Sequence, residues 1–161
     1  MTWLQRQFLP HDAPCWVRAG AVFFVTICCA ARGKNGLCRR EIADVLFEAT
    51  DFRQQTQRWH MHLLLLMPDH LHALVSFPRD EIMCKIVAGF KEMTAKRSGV
   101  AWQRDFFDHR LRSDESFDEK AHYIRMNPVR SNLVAKPENW PWVWQAGDEI
   151  GGPSGPALPE A

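Results

Sequence analysis

Tyrosine is almost absent from this sequence: Tyr123 stands alone among 161 residues, so any chemistry that needs a phenol has a single candidate. An excess of one charge is missing too. Lys and Arg number 20 against 19 Asp and Glu, for a formal net charge of +1. That excludes a globally basic nucleic-acid coat and leaves such work to a few cations gathered on one face. The five cysteines (Cys15, Cys28, Cys29, Cys38, Cys84) show neither CxxC spacing nor an even framework. This pattern argues against a cysteine zinc site or a disulfide scaffold and for reduced thiols in a cytoplasm. No apolar run is long enough for a membrane helix, which takes about 20 residues. The run from Ala19 to Ala31 falls short of that, and it starts too far from Met1 for a compact signal peptide.

What is present fits one soluble domain of 18.6 kDa, with 46% hydrophobic and 24% charged residues. Positions 1–20 carry Pro10, Pro14 and isolated aromatics without a period and read as an arm, 21–146 as the domain, and 147–161, rich in glycine and proline, as a disordered tail. The β-branched and aromatic run at 22–29 predicts a buried strand. A basic, glycine-rich loop follows at Arg32-Gly33-Lys34-Asn35-Gly36. Ile42, Val45, Leu46, Ala49 and Phe52 recur at helical spacing and predict a helix over 39–57. Residues 59–67 and 70–77, joined at Pro68-Asp69, read as a hairpin whose first strand, with four leucines in a row, is buried on both faces. A second helix is expected over 80–97 and a strand over 106–112 that puts Arg110 and Arg112 on a common face. Ser116-x-x-Glu119 is a capping box that starts a third helix, which should end at Asn127 before Pro128. The order of elements implies an α+β fold: an antiparallel sheet with helices packed on one face and the other face open to a ligand.

On that open face we place His70 and His72. Side chains two apart on a strand share a face, so the pair presents two nitrogens to one metal ion and leaves coordination positions open for catalysis. His60-Met61-His62 has the same spacing but leads straight into the leucine run, whereas His70 and His72 follow a turn. Tyr123 and Asn127 are neighbours on one helix face, and a metal near the tyrosine could take the Asn127 carbonyl oxygen as a third ligand. The bland alternatives are hydrogen-bonded structural histidines, a core tyrosine and an asparagine that ends a helix.

Three stretches carry a resemblance. Met67-Pro68-Asp69-His70-Leu71-His72, the run from Trp102 to Arg112, and Tyr123-Ile124-Arg125-Met126-Asn127-Pro128-Val129-Arg130 with Leu133-Val134 and Trp140-Pro141-Trp142 behind it together resemble the single-tyrosine HUH transposases. The resemblance is strongest to those associated with repetitive extragenic palindromes, of the IS200-like group. It spans about 22–144 and implies a ferredoxin-like or RRM-like sheet, a bacterial cytoplasmic, nucleoid-associated enzyme, and a divalent ion, magnesium or manganese, on His70, His72 and Asn127. It also implies Tyr123 as the nucleophile that cuts single-stranded DNA beside an imperfect-palindrome hairpin, through a 5′-phosphotyrosine that a 3′-hydroxyl can reverse. Asp69 departs from the family, in which asparagine is common. DNA contacts expected on this basis are Lys91, Arg104, Arg110, Arg112, Arg125 and Arg130, with Trp102 stacking on an unpaired base. Two other functions stay open from the residues alone. One is a hairpin or single-strand binder without chemistry; the other is a metal hydrolase in which water replaces Tyr123 as the nucleophile. A monomer and a homodimer are both compatible with the sequence.

Overall fold

The computed structural model describes residues 20–145. The tail at 147–161 and the arm, apart from Gly20, lie outside the described residues. The core elements are β1 (Phe23–Cys28), α1 (Arg40–Gln55), β2 (His60–Met67), β3 (His70–Ser76), α2 (Met83–Ser98) and β4 (Phe107–Arg110). They are followed by α3 (Phe117–Arg125), α4 (Asn127–Arg130), a 3-10 turn (Pro137–Asn139) and β5 (Val143–Gln145). The sheet order is β4-β1-β3-β2-β5, with every neighbouring pair antiparallel. The first six elements form the split βαβ plan of ferredoxin-like folds, as expected. β5 extends that plan at the edge of β2, where the sequence had shown only a closing tryptophan cluster.

Residues paired across an antiparallel ladder share a face. Thr26 and Leu65 both pair with His72, while Cys28 and Met67 pair with His70. One face therefore carries Phe24, Thr26, Cys28, His70 and His72, and the other carries Val25, Ile27, Leu71, Ala73, Leu64 and Leu66. The long helices α1 and α2 cover the second face, where Trp144, paired with Leu64, donates from Nε1 to Asp51 of α1 at 2.8 Å. The short α3 lies against part of the first. Its Phe117 ring is 5.4 Å from that of His62, and its Lys120 Nζ is 5.2 Å from the Phe24 ring centre. Cover on both sides explains why Leu63, Leu64, Leu65 and Leu66 are each at most 1% exposed. At about 1.5–3 kcal/mol for each fully buried leucine, β2 is the anchor of the sheet, and the turn that delivers His70 hangs directly from it.

Several element ends differ from the sequence reading for identifiable reasons. β4 stops at Arg110, because the Arg112 N–H is captured by Glu115 Oε1 at 3.0 Å and the chain leaves the sheet. Ser116 Oγ accepts from the Glu119 N–H at 3.2 Å, so α3 starts at its expected cap. α3 ends at Arg125 rather than Asn127. Pro128 then sits in the first turn of α4, where its missing N–H costs nothing.

Candidate metal and nucleophile site

The Pro68-Asp69 turn is held from both directions. Gly36 N and Leu37 N donate to Pro68 O at 2.7 and 3.0 Å, and Cys29 N donates to Asp69 O at 2.8 Å. From that fixed turn β3 projects His70 and His72, their ring centres 4.7 Å apart. Each imidazole has one nitrogen engaged: His70 Nδ1 lies 2.7 Å from Asp69 Oδ1, and His72 Nδ1 lies 2.9 Å from Thr26 Oγ1. A carboxylate or hydroxyl on Nδ1 leaves Nε2 as the outward nitrogen and fixes the ring, the usual second contact of a metal-binding histidine. Phe24 stacks on His72 with centroids 5.4 Å apart and planes 24° apart. Burial, followed by the charges of His70, Arg130 and Arg32, pushes the His72 pKa down to about 3, so this imidazole is neutral, with one of its two ring nitrogens bare.

Asp69 is partly buried, which by itself would raise its pKa. The Gly33 N–H, His70 and Arg32 outweigh that and hold the carboxyl below its ordinary range. It is thus an anion beside His70, a stronger acceptor than an asparagine amide would be in the same turn.

The other histidine pair is built differently. A register shift between Met61 and Leu63 makes His62 the extra residue of a bulge. Its Nε2 is engaged by Ser76 Oγ at 3.0 Å, its ring meets Phe117, and burial followed by His60 pushes its pKa down to about 3. His60 is buried, with Nδ1 3.3 Å from Gln54 Nε2. Among the described residues no group of three or more His, Cys, Asp or Glu side chains is arranged to hold a metal ion. A metal on this fold would rest on imidazole and amide ligands. His70 and His72 fit such a role through their free Nε2 atoms; Asn127, the first residue of α4, has a buried side-chain nitrogen without a hydrogen-bond partner. With that nitrogen unpaired, no partner fixes which way the amide faces, and its oxygen can take the same place.

Tyr123 is 50% exposed on α3. The Arg130 guanidinium lies 4.2 Å from its ring centre and Lys120 Nζ 5.4 Å. Arg130 also donates to the Tyr123 carbonyl at 2.7 Å, capping the end of α3 while standing over the phenol. Its charge is felt at His72. Lys120 touches both Phe24 and Tyr123, which links the tyrosine helix to the face that carries the histidines.

The remaining expected DNA contacts scatter. Arg110 pairs with Phe23 and lies on the face opposite the histidines, and Arg112, beyond the strand, is bound to Glu115, so the two do not share a strand face. Trp102 bridges Cys29 and donates from Nε1 to Thr94 of α2 at 3.0 Å, a fastening on the helix side of the sheet. Lys91 spends its ammonium on the Gln103 and Arg104 carbonyls at 2.6 and 2.8 Å. Arg104 is exposed on that same loop, and Arg125 is half-buried on α3. Sequence reasoning missed Thr26 and Arg32 as members of the histidine site, because both reach it only through the β1–β3 pairing and the docking of the loop.

No helix among the described residues is long and apolar enough to cross a membrane. No family model matches the chain. A curated protein of Haemophilus influenzae named as a REP-associated tyrosine transposase is 24% identical over 143 residues, covering 76% of this chain and 78% of that one. The solved structure of a REP-associated tyrosine transposase bound to a REP hairpin superposes with a TM-score of 0.65 at 22% identity, covering 77% of this chain and 76% of the other. In sequence and in fold, the chain is similar to the REP-associated tyrosine transposases that its three motifs resemble.

Proposed function

We propose that this protein cuts and rejoins single-stranded DNA beside a hairpin formed by an imperfect palindrome, with Tyr123 as the nucleophile. Its divalent ion, magnesium or manganese, would be held by His70, His72 and Asn127. The observation that carries the reading is the histidine pair, with both Nδ1 atoms tied and both Nε2 atoms spare. It lies on the sheet face that α3, which carries the half-exposed Tyr123, meets through Lys120 against Phe24. Support for the substrate class comes from the relatives, one named for REP elements and one solved on a REP hairpin.

When bound, the ion would act as a Lewis acid on the scissile phosphate. Asp69 and Thr26 keep the two imidazoles oriented toward it, so little reorganisation is left for the moment of reaction. Arg130 holds the tyrosine ring and adds positive charge close to the phenol. Attack forms the bond from Tyr123 Oη to phosphorus and breaks the bond from phosphorus to O3′. The phenolic proton is lost and the departing 3′-oxygen gains one. Because the phosphodiester survives as a 5′-phosphotyrosine, a second 3′-hydroxyl can reverse the step, and cutting becomes strand transfer without a nucleotide cofactor.

The test uses the single tyrosine. The full chain, incubated with manganese and end-labelled hairpin oligonucleotides bearing single-stranded flanks, should give a band of protein joined to the 5′ end of the downstream fragment. Tyr123→Phe should abolish that band while retaining DNA binding. Cleavage by the phenylalanine variant would make water the nucleophile, and DNA binding without adduct by the unaltered protein would leave a binding module.

A further inference from the structure

The basic loop after β1 is docked onto the histidine turn by side chains as well as by backbone. Asp69 divides its carboxylate: Oδ1 faces His70 Nδ1 at 2.7 Å, and Oδ2 accepts from the Gly33 N–H at 2.8 Å. Gly33 adopts φ +79°, a left-handed conformation in which any side chain would be strained, so the loop reaches Asp69 in a form that favours glycine. Arg32 follows the same anchor, with Nε 3.4 Å from Asp69 Oδ2 and Nη1 donating to Asp69 O at 3.3 Å. These contacts face Nε and Nη1 to Asp69 and leave Nη2, with its two N–H donors, on a side chain 48% exposed. A solvated arginine paired with a carboxylate contributes only about 0–1 kcal/mol of stability. The arrangement is therefore poorly explained as a stability device. As a means of placing a half-exposed cation at the rim of the histidine site, it makes sense.

We infer that Arg32 is a phosphate-binding residue of this site and that Asp69 is its positioning residue, coupling the basic loop to the orientation of His70. The ligand is a backbone phosphate of the single-stranded flank beside the cleaved bond, taken by the Nη2 donors of the guanidinium. The charge of Arg32 already reaches His72, as that of Arg130 does from a different part of the chain. A phosphate lying over the imidazoles would thus meet cations from two segments. The inference rests on the reading of the site as one that processes DNA.

The experiment compares the unaltered protein with Arg32→Ala, Arg32→Lys, Asp69→Asn and the double variant Arg32→Ala/Asp69→Asn. The probes are a hairpin oligonucleotide with a single-stranded 5′ flank and the same hairpin without it, each titrated over a range of salt with manganese omitted. A separate calorimetric titration measures manganese alone. Arg32→Ala should weaken binding to the flanked probe about tenfold and reduce the slope of log affinity against log salt by about 0.7, the value for one phosphate on a single strand. It should leave binding to the flankless hairpin and to manganese unchanged. Arg32→Lys should recover the slope and only part of the affinity. Asp69→Asn should weaken both the flanked probe and manganese, and adding Arg32→Ala to it should cost less than Arg32→Ala alone. Equal affinity and slope for Arg32→Ala and the unaltered protein would overturn this inference alone. An unaltered protein that binds neither probe would overturn the reading of the site along with it.

Discussion

Replacing Thr26 with valine tests the histidine site at a residue that touches neither the tyrosine nor any expected DNA contact. Thr26 Oγ1 lies 2.9 Å from His72 Nδ1 and is the partner that leaves Nε2 outward. Valine keeps the branch and strengthens strand propensity, so the pairing of Thr26 with His72 and Phe107 should survive. What is lost is one hydrogen bond to a largely buried imidazole, and an unsatisfied buried donor costs about 1–3 kcal/mol. Removing such an outer partner of a histidine ligand typically costs 10–100-fold in metal affinity. The lower end is expected here, because Phe24 stacked 5.4 Å away still restrains the ring. Tenfold corresponds to about 1.4 kcal/mol. Calorimetric titration of manganese into the purified chain at fixed pH should therefore show roughly tenfold weaker binding for Thr26→Val. Thr26→Ser should restore it, and urea unfolding should report any separate loss of stability. Manganese affinity within twofold of the unaltered protein would refute the argument, since either His72 is not a ligand or Thr26 does not hold it.

His70→Ala should abolish manganese binding in the same calorimeter while His60→Ala leaves it intact, because His60 lies buried away from the turn; equal retention by both variants would sink the assignment of the pair. Asn127→Ala should raise the manganese concentration needed for half-maximal adduct formation while hairpin affinity stays within about twofold, and an unchanged metal requirement would reduce Asn127 to the start of α4. Glu115 offers a pH test. The Arg112 N–H, followed by His109 and the Arg112 side chain, holds its carboxyl down to about 2 from an ordinary 4.5. A depressed folded pKa stabilises above the unfolded value and is lost as pH falls through the folded one. The stability difference between the unaltered chain and Glu115→Gln in urea should thus be full at pH 6 and shrink between about 4.5 and 2; a difference that does not change with pH would mean that hydrogen bonding rather than charge holds the 111–116 turn.

The sequence by itself determined the periodic and the punctuated features. Four consecutive leucines mark β2 as buried on both faces, helical spacing marks α1 and α2, and a proline turn before two alternating histidines places both on one face. These are local rules, and each was legible because its physics acts within a few residues. Only the tertiary structure decided which nitrogen each histidine keeps free, since that depends on Thr26 and Asp69 reaching His72 and His70 across a strand pair and a turn. It also sorted the cations: Arg110 falls on the far face through its pairing with Phe23, Lys91 is consumed by two carbonyls of a distant loop, and Arg32 is drawn in by Asp69 from 37 positions away. Charge carries no period that a reader of sequence can follow, and a cation's role is set by which carboxylate, carbonyl or ring the fold brings within reach of it.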